Sequence, residues 1–258
     1  MTGLWALLKK DFGSYFRSWV GVLGLAVFLL LAGVFFTLIV LSYAQLSLES
    51  ARQAYEGIEA LSLTGFIFGA FFLNLGVLFL FLAPLLTMRS LAEEKKMATL
   101  ELLYTYPLSD FQIVGGKYLA LLSQMALLFL PTLTCVGLMF FLKVNLDVGV
   151  VVGGSLGFFL LGASFLAVGL FFSSMTESQL LAGALTFAAL FFLWMFEWLV
   201  GFLPHPWNEG LARLSPFFHF RDFSLGVIDL SDGVYFVCFV AFFFFLTLRR
   251  VEARNWKG

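Results

Sequence analysis

Long apolar stretches alternate with shorter polar ones along the whole chain, and this alternation predicts the structural elements. Crossing the hydrocarbon of a bilayer takes about 20 apolar residues. Stretches that meet or approach this length are predicted at residues 19–43, 62–88, 118–142, 148–172, 180–203 and 232–248. The pattern therefore predicts an all-α polytopic membrane protein with six transmembrane helices, organised as a single domain over residues 1–258.

The first stretch raises the alternative of a cleaved signal peptide, because basic residues precede it. The apolar run at 19–43 is longer than the about 7–15 residues of a secretory signal core, and we expect it to be retained as a span. Ahead of it, residues 1–18 carry apolar side chains at helical spacing with polar ones on the other faces. This pattern predicts an interfacial helix that leads into the bilayer.

The longest polar interruption that is dense in both charge signs runs from Thr87 to Ala120. Charged residues alternate there with leucines and methionine, which is typical of a short amphipathic helix at an aqueous boundary. Pro107 should end that helix because it lacks an amide proton. Ser109 and Gln112 have the spacing of a capping box, which predicts a second helix start. An ordinary loop between two spans is the alternative, although a connector rarely contains a capped helical corner.

The distribution of basic residues predicts the orientation of the chain. With the N-terminus inside, the loops between successive spans lie alternately outside and inside. Eleven of the 15 Lys and Arg residues then lie on the cytoplasmic side, and these are Lys9, Lys10, Arg17, Arg89, Lys95, Lys96, Lys117, Arg249, Arg250, Arg254 and Lys257. The positive-inside rule therefore places both termini and residues 89–117 in the cytoplasm.

Several residues within the spans have two interpretations each. Gly149, Gly153 and Gly157 are spaced four apart and allow close helix packing, either within the subunit or at a dimer interface. Glu197 is costly in hydrocarbon, so it is expected to be protonated, paired, or facing a wet cavity or the interface. Asn74 is expected to form a hydrogen bond between helices.

The segment 204–231 is too long for a tight turn and rich in aromatic residues. It predicts short helices that lie in or dip into the outer leaflet, which is tolerated where protein or a wet cavity satisfies the backbone. His205 and His219 in this segment are isolated, and no metal site is predicted. Cys135 and Cys238 both lie in apolar spans, so neither a disulfide framework nor a zinc site is indicated.

Composition excludes a soluble domain and gives no sign of an enzyme. The chain is 61% hydrophobic and 12% charged, whereas soluble domains are about 45–50% apolar. H-E-x-x-H is absent, and no Cys and His residues cluster at metal-ligand spacing. Gly115, Gly116 and Lys117 do not form a Walker A loop, because Phe111 and Tyr118 occupy positions that need Gly and Ser or Thr. We therefore predict a non-catalytic chain without cofactor or metal, and no nucleic-acid partner.

Two runs carry a resemblance to a known family. MRSLAEEKKMATLELLYTYPLSDFQIVGGKYLA and LSPFFHFRDFSLGVIDLSDGVYF resemble segments of ABC-2-type transporter permeases, especially the branch of the gliding-motility and nitrous-oxide-reductase-maturation permeases. The resemblance implies that residues 89–117 contain the coupling helix that sits on a cytoplasmic ATPase. The residues that would make this contact are Arg89, Leu91, Glu93, Glu94, Lys95, Lys96, Leu100, Glu101, Leu103, Pro107, Thr176 and Glu177.

The resemblance also implies the rest of the assembly. Segment 204–231 would be re-entrant and would close the outward end of the path, with Pro216, Phe217, Phe218, His219 and Phe220 at its centre. The expected partners are two copies of an ATPase subunit that binds ATP and Mg, a second permease copy, identical or related, and a further extracytoplasmic protein, all in or at the bacterial inner membrane. The expected function is ATP-driven export, and the alternative is a subunit that transmits force to an extracytoplasmic partner without moving a solute.

Overall fold

The structure is a computed structural model that describes residues 19–52, 63–97, 109–141, 146–199 and 212–255, together with Gly13 and Gly210. Regular structure in these residues is helical throughout. The helices are α1 (Trp19–Arg52), α2 (Leu63–Thr87), α3 (Ala92–Lys96), α4 (Asp110–Phe129), α5 (Leu133–Phe141), α6 (Val148–Met175), α7 (Gln179–Leu199), α8 (Pro216–Ser224) and α9 (Leu230–Asn255). The predicted interfacial helix at 1–18 lies outside the described residues, Gly13 apart.

Six helical stretches in this part of the chain are long and apolar enough to cross a membrane, which confirms the predicted all-α, six-span fold. Two helices extend beyond the predicted apolar stretches. α1 continues to Arg52 and α9 to Asn255, because neither polar extension contains the Gly or Pro that would end a helix. The predicted boundaries followed hydropathy, and a helix does not end where its side chains become polar.

The third span contains a break that hydropathy did not reveal. Its start is as predicted: Gln112 N–H donates to Ser109 Oγ, and Ser109 N–H donates to Gln112 Oε1, which confirms the capping box. Pro131 then lies in a single 3-10 turn at Leu130–Thr132 that separates α4 from α5. Proline cannot donate the hydrogen bond that a continuous helix requires, which accounts for the break.

The centre of the fold is α6, which packs against α2, α4, α7, α8 and α9. Its glycines receive large side chains from neighbouring helices. The Phe72 ring lies at Gly154 and the Met125 side chain at Gly162, where a Cβ atom would overlap them. Small residues thus let α2 and α4 approach α6 closely, as is common between membrane helices.

α2 runs parallel to α6, which defines two ends of the subunit. Near the start of α6, Asp147 N–H donates to Thr64 Oγ1 over 3.1 Å. Near its end, Thr87 packs against Gly169. One end of the subunit contains Gly169 and α3, and we call it the α3 end. At the opposite end the residues after α8 meet the start of α6, and we call this the α8 end.

Candidate functional site

At the α3 end, the short helix α3 is capped by a side chain from α6. The backbone N–H groups of Leu91 and Ala92 donate to Ser173 Oγ over 3.0 and 3.1 Å. The first N–H groups of any helix lack acceptors within that helix. Here the hydroxyl oxygen of a serine in another helix is the acceptor. Leu91 and Ala92 are fully buried, so the start of α3 belongs to the packed bundle.

A buried ion pair joins the same segment to α4. Lys117 Nζ lies 2.8 Å from Glu94 Oε2 and donates to the backbone oxygen of Ser90 over 2.7 Å. The Lys117 side chain is 1% exposed. A buried charge is tolerated where a partner and further hydrogen bonds satisfy it. Lys117 therefore fixes the distance between α4 and the residues around α3.

A second lysine reaches the C-terminal end of α6. Lys95 Nζ donates to the backbone oxygen of Ser174, where the helix dipole favours a positive charge. Ser174 Oγ donates to the backbone oxygen of Phe171 over 2.6 Å. These contacts connect α3, α4 and α6, and we call the residues that make them the anchor cluster: Ser90, Glu94, Lys95, Lys117, Ser173 and Ser174.

The structure divides the predicted ATPase-contact residues into inward and outward groups. Leu91 and Glu94, both expected at the ATPase contact, instead face inward, and Glu94 pairs with Lys117. Glu93 is partly exposed and Lys96 is exposed. Two adjacent acidic residues in one helical turn necessarily point to different sides, and Lys117 determines which of them is buried.

The remaining predicted contact residues are distributed around this surface. Arg89, Lys95 and Thr176 are half-buried, and Glu177 is exposed. Thr176 Oγ1 accepts from Ser178 N–H over 3.1 Å in the turn between α6 and α7. Leu100, Glu101, Leu103 and Pro107 lie outside the described residues.

Sequence analysis considered Lys117 only in the context of a phosphate loop and of charge counts, and missed its structural role. A signal was available, because Lys117 is the one charged residue between Asp110 and Lys143. An isolated charge in an apolar segment indicates a buried partner. Its partner could not be identified from the sequence, since Glu93, Glu94 and Glu101 are all plausible by position.

At the other end, α8 packs between four helices rather than on their surface. It contacts α2, α6, α7 and α9. Phe217 lies 5.7 Å from Phe165 of α6 and 6.4 Å from Trp194 of α7, measured between ring centroids. Phe220 lies over Gly76 in the middle of α2, where a Cβ would stand 2.9 Å from its ring. Phe217 and Phe220 are buried, whereas Phe218 is 41% exposed.

The glycine ridge of α6 is where α8 makes its closest approach. A Cβ on Gly153 would stand 2.9 Å from the backbone of Gly226, and one on Gly157 would overlap Phe223. Gly226 follows α8 with a φ of 85°, a conformation that favours glycine. Of the two interpretations of these glycines, close packing within the subunit therefore applies to Gly153 and Gly157. Gly149 is not part of this contact, because its nearest neighbour is the side chain of Asp147, the residue that caps α6.

The start of α8 is fixed to α9 by hydrogen bonds. His219 Nδ1 lies 2.6 Å from Asp232 Oδ1, and Nε2 lies 2.9 Å from the backbone oxygen of Arg213. The Tyr235 ring stacks on the imidazole with centroids 3.9 Å apart. Its hydroxyl donates to the backbone oxygen of Leu214 over 2.8 Å. Sequence analysis missed Asp232 and Tyr235, since a contact between α8 and α9 has no periodic signature.

The two polar residues singled out within spans differ in their surroundings. Asn74 Nδ2 donates to the backbone oxygen of Ala70 over 2.8 Å. This hydrogen bond lies within α2, whereas a hydrogen bond between helices was expected. Glu197 is half-buried near the end of α7 and interacts electrostatically with Arg221 of α8. Among the described residues no group of three or more His, Cys, Asp or Glu side chains could hold a metal ion.

Comparison with known proteins identifies the family. Residues 5–248 match the family described as ABC-2 family transporter protein, which is nearly the whole chain. The chain belongs to this family. As an ABC-2 permease it is a multi-pass membrane component of an ABC transporter, a family whose members work with an ABC ATPase subunit. A search of curated proteins gave no match, and the resemblance to the gliding-motility branch stays a prediction.

Proposed function

We propose that this chain is the membrane subunit of an ABC exporter, in which a separate ATPase moves the α3 end and thereby changes access through the membrane. In this proposal α3 is the coupling helix and faces the cytoplasm of a bacterium, as the excess of Lys and Arg on that side supports. ATP and Mg bind to the ATPase. Two copies of the permease and two of the ATPase form the complex.

The observation that carries the proposal is the two-sided character of α3. One side is fixed to α4 and α6 by Glu94, Lys95 and the capping bonds from Ser173. The other side presents Lys96 and Met97 outward, and Met97 is 65% exposed. A helix that is fixed within the bundle and presents a methionine among charged side chains at its free surface suits the transfer of a push from a soluble partner.

The anchor cluster also suggests a route for the motion. Pushing on α3 moves Ser173 and Ser174 at the end of α6, and the α8 region packs on the same helix at Gly157 and Gly153, a distance of about 24–30 Å from Ser173. Because the α8 end packs against the same helix, α8 would respond to movement at α3. We assign to α8, including residues Pro216–Phe220, the role of a re-entrant element that closes the outward side.

A second candidate function is force transmission to an extracytoplasmic partner without solute transport. It is favoured by the described interior of the subunit, where several buried hydroxyl groups bond to the backbone of their own helix rather than line a path. Examples are Thr87 with Ala83, Ser164 with Leu160 and Thr186 with Ala182. For an exporter, this interior implies that a solute path runs between two permease copies.

The experiment that tests the proposal is co-purification of the tagged permease with the products of its neighbouring genes in a mild detergent. We expect an ATPase at one copy per permease. Substituting Met97→Asp, or Leu100→Asp with Leu103→Asp in the adjoining segment, should abolish the association, because a charge replaces an apolar contact. Glu177→Gln should leave it largely intact, since an exposed charge contributes little to binding.

Two outcomes would contradict the proposal. Retention of the ATPase by the aspartate variants would show that the docking surface lies elsewhere. A stable permease that never associates with an ATPase would remove the energy source. To separate the two candidate functions, the complex is reconstituted with a second permease copy, and cysteines introduced at the copy–copy boundary are tested for water access. A dry boundary would favour force transmission.

A further inference from the structure

The imidazole of His219 faces two oxygen atoms, one at each ring nitrogen. A neutral imidazole carries a single N–H and can donate only one hydrogen bond. The backbone oxygen of Arg213 accepts only, and so does an ionised Asp232 carboxylate. Both contacts are satisfied only when the pair holds one proton more than a neutral imidazole beside an ionised carboxylate. This count is the same whether the proton lies on His219 or on Asp232.

We propose that His219 and Asp232 form a proton-binding site that fixes the start of α8 to α9, and that loss of the proton releases this attachment. Three features of the site favour the proton. The separation of 2.6 Å from Nδ1 to the carboxylate is short, as in charge-assisted hydrogen bonds. The stacked ring of Tyr235 presents its negative face to the imidazole. Both residues are buried, with 9% of His219 and 6% of Asp232 exposed, which limits the access of water to a group that loses its donor.

The other charged groups around α8 are arranged differently. Those on α8 itself and on the adjoining segments are exposed: Arg213, Arg221, Asp222 and Asp229. Glu197 of α7 is half-buried and interacts with Arg221. The positions of α2 and α6 that contact α8 are glycine and apolar residues, including Gly76, Gly157 and Phe165. Within the described part of the chain, Asp232 is thus the carboxylate in contact with the imidazole.

The direction of the effect follows from the hydrogen-bond count. While the pair holds this proton, His219 joins the backbone at Arg213 to Asp232. When the proton is lost, one of these two acceptors loses its donor. The segment from Ala212 to His219 should then separate more readily from α9. The proton site does not depend on coupling to an ATPase.

The proton can be observed directly, because the chain has two histidines. In a His205→Gln variant, His219 is the one remaining histidine, and ¹⁵N labelling of its ring reports the protonation of each nitrogen. At neutral pH we expect two protonated nitrogens, or one protonated nitrogen together with the infrared band of a protonated Asp232 carboxyl that disappears in Asp232→Asn. One protonated nitrogen beside an ionised carboxylate would overturn the proposal.

Release of the segment can be measured by cysteine labelling. Ala212 is 4% exposed, so Ala212→Cys, in a chain whose Cys135 and Cys238 are replaced by alanine, should react slowly with a water-soluble maleimide. Rates are taken relative to Leu230→Cys, a site that is 81% exposed, to correct for thiol ionisation. Between about pH 5 and about pH 9, which brackets the ordinary histidine range, we expect the relative rate to rise severalfold.

Asp232→Asn is the decisive control. An asparagine amide can donate to Nδ1 while Nε2–H donates to Arg213, so a neutral imidazole keeps both hydrogen bonds. The relative labelling rate should then stay low at every pH. His219→Ala should give a high rate at every pH, because the attachment is absent. If Asp232→Asn showed the same rise with pH as the parent chain, the proton would not control the attachment.

Discussion

At the α3 end of α6 the neighbouring segments are held by polar contacts, whereas at the α8 end the contacts along α6 are steric. Ser173 and Ser174 accept hydrogen bonds, and Lys117 pairs with Glu94 beside them. Gly153 and Gly157 provide space for the backbone and rings of the α8 region. Polar contacts specify distance and partner, while close packing is sensitive to volume. Different kinds of substitution should therefore destabilise the two ends.

The largest effect is expected from Lys117→Met. The variant leaves Glu94 buried without its cation, and breaking a buried pair from one side costs about 3–5 kcal/mol. The free energy of unfolding, measured in mixed micelles, should fall by this amount. Adding Glu94→Gln should recover much of the loss, because no uncompensated charge remains. Lys96→Met, at an exposed position, should change little, and equal effects of the two lysine variants would refute the buried pair.

Ser173→Ala should be the next most damaging change. It removes the acceptor for two buried N–H groups, those of Leu91 and Ala92, and we expect a loss of about 2–3 kcal/mol. Ser155→Ala is the matched control in the same helix, since Ser155 Oγ bonds to the backbone of its own helix at Val151. A similar stability of the two variants would show that α3 is held by packing alone.

Gly153→Ala tests the steric end. The added methyl group would meet the backbone of Gly226 and Phe223 rather than a movable side chain, and overpacking of this kind costs about 1–2 kcal/mol. Gly33→Ala is the control, because nothing lies within 4 Å of its Cβ position. Thermal denaturation followed by size-exclusion chromatography should separate the two. A neutral Gly153→Ala would mean that the α8 region yields easily and that the two ends are less different than proposed.

The smallest effect is expected from Glu93→Gln. Glu93 is partly exposed, so the free energy of unfolding should change by no more than about 0.5 kcal/mol. Glu94→Gln, one residue away, leaves Lys117 buried beside a neutral amide and should lower it clearly. The same two variants provide a test of docking, because Glu93 faces the proposed ATPase side. Equal destabilisation by both would contradict the assignment of inward and outward faces.

The sequence predicted those features that depend on neighbouring residues. The six spans follow from apolar length, and the start of α4 follows from Ser109 and Gln112, which are close in the chain. The inward turn of Glu94 was not predictable, because its partner Lys117 lies on another helix and a five-residue helix has no clear periodicity. The pairing of His219 with Asp232 was missed for the same reason.

The spacing of the glycines predicted part of the packing around α6. At Gly153 and Gly157 the repeat correctly indicated close helix packing, but it left two partners open, a helix of the same subunit or a second copy. The structure assigns Gly153 and Gly157 to the region of α8. A motif of small residues in a sequence indicates that another segment approaches closely, and the fold is needed to identify that segment.

α1 has 34 residues, which corresponds to about 51 Å of helix. The hydrocarbon layer is about 30 Å thick, and membrane helices tilt on average by about 20°. Even with this tilt, α1 is longer than the layer it crosses. Its two charged residues, Glu49 and Arg52, both lie in its last turn. This turn therefore stands in the headgroup region or above it, and α1 ends beyond the hydrocarbon.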